Sequence, residues 1–140
     1  MVVPVFNEQE VIAETHRRLS DACVAAAGDN YEIVYVDDGS RDRTWLMLNE
    51  LATRDCHVVA VGLSRNFGHQ LTLSAGLELC RGERILMIDA DLQDPPELVL
   101  QMMQKSTMAL TSFMVSAPNA WARLRSNVAP QQHFIGCLTD

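Results

Sequence analysis

The chain has 140 residues, 48% of them hydrophobic and 21% charged, values ordinary for a folded globular protein and too apolar for a disordered one. At roughly 150 residues per domain this allows about one domain. The formal charge of −7 argues against a general nucleic-acid binder, which needs basic surface to displace counterions. No apolar run reaches the ~18 residues of a membrane span, and the N-terminus lacks the basic-then-apolar order of a signal peptide. Cys23, Cys56, Cys80 and Cys137 form no CxxC pair. They read as buried, unpaired thiols in a reducing compartment, and the expected location is cytoplasmic.

Residues 1–6 form an apolar, β-branched run that stops at Asn7, and residues 8–26 follow with Val11, Ile12, Leu19, Ala22 and Cys23 at helical spacing. A second strand is predicted over 31–36, ending in Asp37-Asp38-Gly39-Ser40. Residues 42–53 read as a helix with Asp42 as N-cap and Trp45, Leu46 and Leu51 facing inward. Residues 58–63 are the third strand, and 68–80 the third helix, with Leu71, Ala75 and Leu79 on one stripe. Residues 84–88 make a fourth strand that runs into Asp89-Ala90-Asp91, and Pro95-Pro96 opens a further helix, proline being tolerated in the first turn.

Strand–helix alternation with short connections implies an α/β fold, an open, doubly wound and mainly parallel sheet with helices on both faces. Ligands in such sheets bind beyond the carboxyl ends of the strands. Every polar cluster falls there: Asn7-Glu8, residues 37–40, residues 64–69 and residues 89–94.

Three of these clusters can carry chemistry. Asp89 and Asp91 can place two carboxylates on one divalent cation, with Gln93 adding an amide oxygen, because Mg²⁺ and Mn²⁺ favour hard oxygen ligands. The alternative is a solvated turn in which Asp91 or Asp94 caps the next helix. Asp37 and Asp38 can accept hydrogen bonds from a ribose hydroxyl or a base N–H, or form an Asx-turn in which Gly39 supplies a positive φ. Arg65 is a cation beside an acidic rim, suited to phosphate oxygens or to an acidic loop. His69 is either a base or a hydrogen bonder at a helix start. No GxGxxG or GxxxxGK[ST] is present, so the usual dinucleotide and P-loop readings lack their glycines.

Taken in order, VVPVFNE at 2–8, YEIVYVDDGSRDRT at 31–44, LSRNFGHQLTLSAGL at 63–77 and ILMIDADLQDPPELV at 85–99 resemble the inverting nucleotide-sugar glycosyltransferases of family 2, with the GT-A fold. RNFGHQ and DADLQDPPE are most similar to the polyprenyl-phosphate branch, which includes dolichyl-phosphate mannose synthases. The resemblance spans residues 2–104. It implies donor-binding roles for Pro4, Phe6, Asn7, Glu8, Asp37 and Asp38, with Asp89, Asp91 and Gln93 around Mg²⁺ or Mn²⁺ on the diphosphate and Arg65 near the donor. The implied partners are a nucleoside-diphosphate sugar and a polyprenyl phosphate at the cytoplasmic membrane face. The metal would stabilise the leaving diphosphate, and a lipid phosphate, already an anionic nucleophile, needs no strong base. A family member with a sugar or protein acceptor, and a nucleotide- or metal-binding module without catalysis, are the alternatives.

The sequence divides at Lys105. Residues 1–105 carry the nucleotide-sugar-binding pattern, and among the acids only Asp140 lies beyond it. Residues 106–140 show neither periodicity, and Arg123 and Arg125 are their basic residues. Reading each codon of this tail two nucleotides later permits VDDGVDVVYGQR and then GETSFKRGTAAAFYRLLDR, which resembles the missing family continuation. The tail is therefore expected to be out of frame and poorly ordered, the first strand to be cropped at Met1, and the chain to keep its nucleotide-binding residues with little transferase activity.

Overall fold

The computed structural model describes residues 1–106 apart from Asp94 and Glu97. Of the expected tail only Ser106 is included; Arg123, Arg125, Cys137, Asp140 and the capping role considered for Asp94 lie outside the described residues. The elements in order are β1 (Val2–Val5), α1 (Ile12–Ala27), β2 (Ile33–Asp37), α2 (Thr44–Arg54), β3 (Val58–Gly62), α3 (His69–Leu79) and α4 (Leu98–Ser106). The strands pair in parallel in the order β1-β2-β3, with Val2 opposite Val34 and Ile33 opposite Val58.

Strand alternation divides the core into two layers. On one face Val3, Val5, Ile33, Tyr35, Val58 and Ala60 meet Ile12, Leu19 and Cys23 of α1 and Leu48 and Ala52 of α2. On the other, Val2, Val34, Val36 and Val61 meet α3. That helix rests directly on the strands at Gly76, where a Cβ would collide with Val2 Cγ1 and come within 3.0 Å of Val36 Cγ2. The expected α/β architecture, helices on both faces of a parallel sheet, is what forms.

Several local expectations are corrected. Residues 84–88 do not form a fourth strand of a continuous ladder. The Val2 amide donates to the Leu86 carbonyl at 2.8 Å, the Ile88 amide donates to Val2 at 3.2 Å, and the pairing is a single parallel bridge between Val2 and Met87. The reason is Pro4. Alternate residues of β1 face this edge, and the next one after Val2 has no N–H to donate. The α2 helix starts at Thr44, after Arg43, although Asp42 Oδ1 still accepts the Thr44 amide at 2.9 Å. Leu46 points outward at 51% exposure and Leu48 takes the buried position. In α3 the buried stripe is Thr72 and Gly76, while Leu71 is 57% exposed. Cys23 and Cys80 are buried free thiols, as expected, but Cys56 is exposed. No described helix is long and apolar enough to cross a membrane.

Candidate functional site

Beyond the carboxyl ends of the strands lies a cleft of about 280 Å³, lined by Pro4, Val5, Phe6 and Glu8, by Asp38, by Asn66, Gly68, His69 and Thr72, and by Asp89, Ala90 and Asp91. Four separate loops thus meet at one place. Their backbones are fixed by long-range hydrogen bonds.

The loop after β1 is stitched to the loop before α2. Asn7 adopts a positive φ of 56°, a conformation its short polar side chain tolerates. Its amide donates to Ser40 Oγ at 2.9 Å, and its Oδ1 accepts the Arg41 amide at 2.9 Å. The Glu8 amide donates to Thr44 Oγ1 at 2.8 Å. Glu8 is thereby aimed at the cleft, and its carboxyl is pushed above the usual glutamate range by partial desolvation and then by the charges of Asp91 and Asp42.

The acidic turn after β2 divides its labour. Asp38 is buried, and its carboxylate accepts the Phe67 amide at 2.7 Å and the Gly68 amide at 2.9 Å, clamping the loop that leads into α3. Gly39 has φ 71°, as the Asx-turn reading expects, and a Cβ there would lie 2.6 Å from the Arg65 carbonyl carbon, so the two loops touch backbone to backbone. Asp37 points inward instead. Its Oδ2 accepts the Ser40 amide at 3.1 Å, while Oδ1 is buried without a hydrogen-bond partner. Burial raises its pKa from the ordinary 3.8, the bond from Ser40 opposing the shift. A raised native pKa favours the protonated folded form. Its contribution to stability is therefore fully present below 3.8 and is lost as pH rises through the raised native value. Denaturant titrations are expected to show wild-type stability falling relative to Asp37→Asn across that window, and parallel curves for the two proteins would contradict the burial account.

The Asp89-Ala90-Asp91 turn is anchored from α1. Thr15 Oγ1 donates to the Ala90 carbonyl at 2.8 Å, so Ala90 is buried while the two flanking aspartates stand exposed at the cleft. The Gln93 amide donates to Asp91 Oδ1 at 3.0 Å, and Leu92 between them has φ 61°. A positive φ at a branched residue is an outlier, of the kind held in place only by its surroundings. His69, the first residue of α3, places Nε2 3.7 Å from Asp89 Oδ1.

Of the residues singled out in the sequence, Pro4, Phe6, Glu8, Asp38, Asp89 and Asp91 line the cleft together. Asn7, Asp37, Arg65 and Gln93 are not among its lining residues: Asn7 and Asp37 brace the loops, and Arg65 lies 4.8 Å over the Phe67 ring. Sequence reasoning passed over Asn66 and Thr72, which line the cleft, and Thr15 and Thr44, which hold its loops. The loop partners of Thr15 and Thr44 lie 75 and 36 residues away, and no local pattern signals them. For His69 the pairing with Asp89 adds to the helix-start position a place in the cleft wall.

The donor set suits a hard divalent cation. Glu8, Asp89 and Asp91 are carboxylates on one cleft, and the charge of Asp91 already opposes ionisation of Glu8; a cation would relieve that repulsion.

Comparison with known proteins bears on the family and the fold. The family described as Glycosyl transferase family 2 matches residues 1–117. An uncharacterized glycosyltransferase, YkcC, of Bacillus subtilis (strain 168) is 48% identical over 105 residues, covering 75% of this chain and 32% of that protein. The undecaprenyl-phosphate 4-deoxy-4-formamido-L-arabinose transferase of Pseudomonas fluorescens (strain SBW25) is 44% identical over 148 aligned residues, covering 100% of this chain and 43% of its own length. The chain thus spans less than half of either relative. Among solved structures, S. aureus TarS 1-349 in complex with UDP-GlcNAc superposes with a TM-score of 0.54 at 25% identity, over 64% of this chain and 25% of that one.

Proposed function

The chain belongs to glycosyl transferase family 2, and from that premise we propose that its cleft binds a nucleoside-diphosphate sugar through a divalent cation and serves sugar transfer to a polyprenyl phosphate. The observation that carries the reading is the cleft itself, in which Glu8, Asp38, Asp89 and Asp91 face a space bounded by an aromatic side chain and a helix start. A cleft so acidic repels a free diphosphate. It accepts one together with a cation, and the start of α3 at His69, which lines the cleft, adds a favourable dipole for the anion.

In this reading Asp91 and Asp89 hold Mg²⁺ or Mn²⁺, with Glu8 facing them. Gln93 contributes through its backbone N–H, which donates to Asp91 and orients it, rather than through its side-chain amide oxygen. Pro4 and Phe6, the latter 41% exposed at the cleft wall, give the nucleoside an apolar surface. Asp38 positions the 64–68 loop, and each of its oxygens retains a lone pair for a ribose hydroxyl. Asn7, Asp37 and Arg65 act from behind the cleft, as braces of its loops. When bound, the ion supplies Lewis-acid stabilisation of the leaving diphosphate. The polyprenyl-phosphate acceptor is supported by 44% identity to a transferase named for undecaprenyl phosphate; its phosphate oxygen is an anionic nucleophile, so a strong general base is not required. Calorimetric titration of the chain with uridine- and guanosine-diphosphate sugars should give saturable binding in Mn²⁺ that EDTA abolishes. Absence of binding to both donor classes in saturating Mn²⁺ would sink the reading.

A further inference from the structure

At the other end of the sheet, the short turn between α2 and β3 brings together three side chains that the sugar-transfer reading does not use. We propose that Asp55, Cys56 and His57 form a binding site for a borderline-soft divalent ion of the zinc class, separate from the hard-cation cleft.

The geometry is already close to what such an ion takes. One ligand atom from each residue lies within 4.8 Å of the other two. His57 Nδ1 is 3.0 Å from Asp55 Oδ1, and Cys56 Sγ is 3.8 Å from His57 Nδ1. Tetrahedral zinc with bonds of about 2.0–2.3 Å requires ligand atoms roughly 3.3–3.6 Å apart. The two pairs that include His57 need shifts of only a few tenths of an ångström to reach it, and the remaining pair, Asp55 with Cys56, starts within 4.8 Å. Asp55 and His57 are half-buried and Cys56 is exposed, so the three ligands form a shallow cup with its fourth position toward solvent.

The ligands are held from outside the cup. The His57 ring stacks on Tyr31, with centroids 4.2 Å apart and planes 7° from parallel. Its backbone amide donates to Asp55 Oδ1 at 2.8 Å. The second oxygen of Asp55 lies 3.5 Å from His16 Nε2, and His16 Nδ1 is 3.2 Å from the Tyr35 hydroxyl. This is the outer-shell support that orients metal ligands. The turn also caps α2, whose terminal carbonyls present partial negative charge: the Asp55 amide donates to Leu51. Binding transfers the thiol proton and any Nδ1 proton to solvent and leaves a thiolate and a neutral imidazole on the ion.

Ligand chemistry separates the two ends of the sheet. The cleft is dominated by carboxylates, with the His69 imidazole in its wall and no thiol, a set that suits Mg²⁺ or Mn²⁺, whereas a thiolate–imidazole–carboxylate set selects Zn²⁺ or Co²⁺. Titration of Co²⁺ into the full chain under excess Mg²⁺ should produce a near-ultraviolet thiolate-to-cobalt charge-transfer band that saturates at one equivalent. One equivalent of Zn²⁺ should then remove it. Cys56→Ser should abolish the band, Cys137→Ser and Asp91→Ala should retain it, and His16→Gln should weaken binding by about 10–100-fold. A wild-type chain without the band, or a band that survives Cys56→Ser, would overturn the proposal. Asp91→Ala separates this result from the fate of the cleft, because failure there leaves the cobalt signal intact.

Discussion

Replacing Asp91 with alanine is expected to lower Mn²⁺-dependent affinity for a nucleoside-diphosphate sugar by about 100-fold, or about 2.7 kcal/mol, with little change in stability. Asp91 is exposed on the cleft, and among the described residues its hydrogen bond is the local contact from the Gln93 backbone amide. Its loss therefore removes a ligand and little packing. Desolvation is the main cause of the raised Glu8 pKa and the Asp91 charge the next; the change withdraws the second, so Glu8 becomes easier to ionise and offsets part of the lost cation affinity. Full compensation is not expected, because a cation held by fewer carboxylates binds a diphosphate less tightly and places it less well. In a full-length relative the corresponding change should cost roughly 100–1,000-fold in turnover, the scale on which removal of one charge-stabilising group acts. Calorimetry in Mn²⁺ and in EDTA checks the first number. Equal Mn²⁺-dependent affinity in the two proteins would remove Asp91 from the site.

The contrast between Asp91 and its neighbours shows what a sequence can disclose. Strand–loop punctuation placed each acidic cluster at the carboxyl end of a strand, and the cleft is built from those loops. The division between groups that face the cleft and groups that frame it was not legible. Asp38 and Asn7 spend their oxygens on amides 29 and 34 residues away, and Thr15 reaches a carbonyl 75 residues away. Such pairings follow from how the loops close over the sheet, which local spacing does not encode. Helix faces failed for a related reason. Leu71 belongs to an apolar stripe by spacing, but α3 approaches the sheet through Gly76, and that close approach turns Thr72 inward and Leu71 out. The incomplete fourth strand differs, because Pro4 within the first strand already marks a ladder that stops on one edge.

The largest expected effect on stability is at Asp38. Its carboxylate receives two backbone amides, from Phe67 and Gly68, in a buried setting. Hydrogen bonds to a charged acceptor contribute about 1.5–3 kcal/mol each, and donors stranded without a partner add a desolvation cost. Some of that cost is recovered as water reaches the exposed Phe67 edge of the loop, so Asp38→Ala should destabilise the fold by about 3 kcal/mol, a large fraction of the 5–15 kcal/mol typical of a domain. The loss should be localised. Amide exchange at Phe67 and Gly68 should accelerate most, and the start of α3 should fray with them, since Leu71 and Thr72 both donate to the Gly68 carbonyl. Donor binding should weaken as well, because Asn66, Gly68 and His69 line the cleft on that loop. Urea denaturation and residue-resolved exchange together separate the two roles open to this carboxylate. If Asp38 acted only on the nucleotide, affinity would fall while stability and exchange at Phe67 and Gly68 stayed at wild-type values, and the clamp would be refuted. If it is the clamp, Asp38→Ala loses affinity through a loosened loop, and a nucleotide that still binds should restore part of the lost protection at both amides.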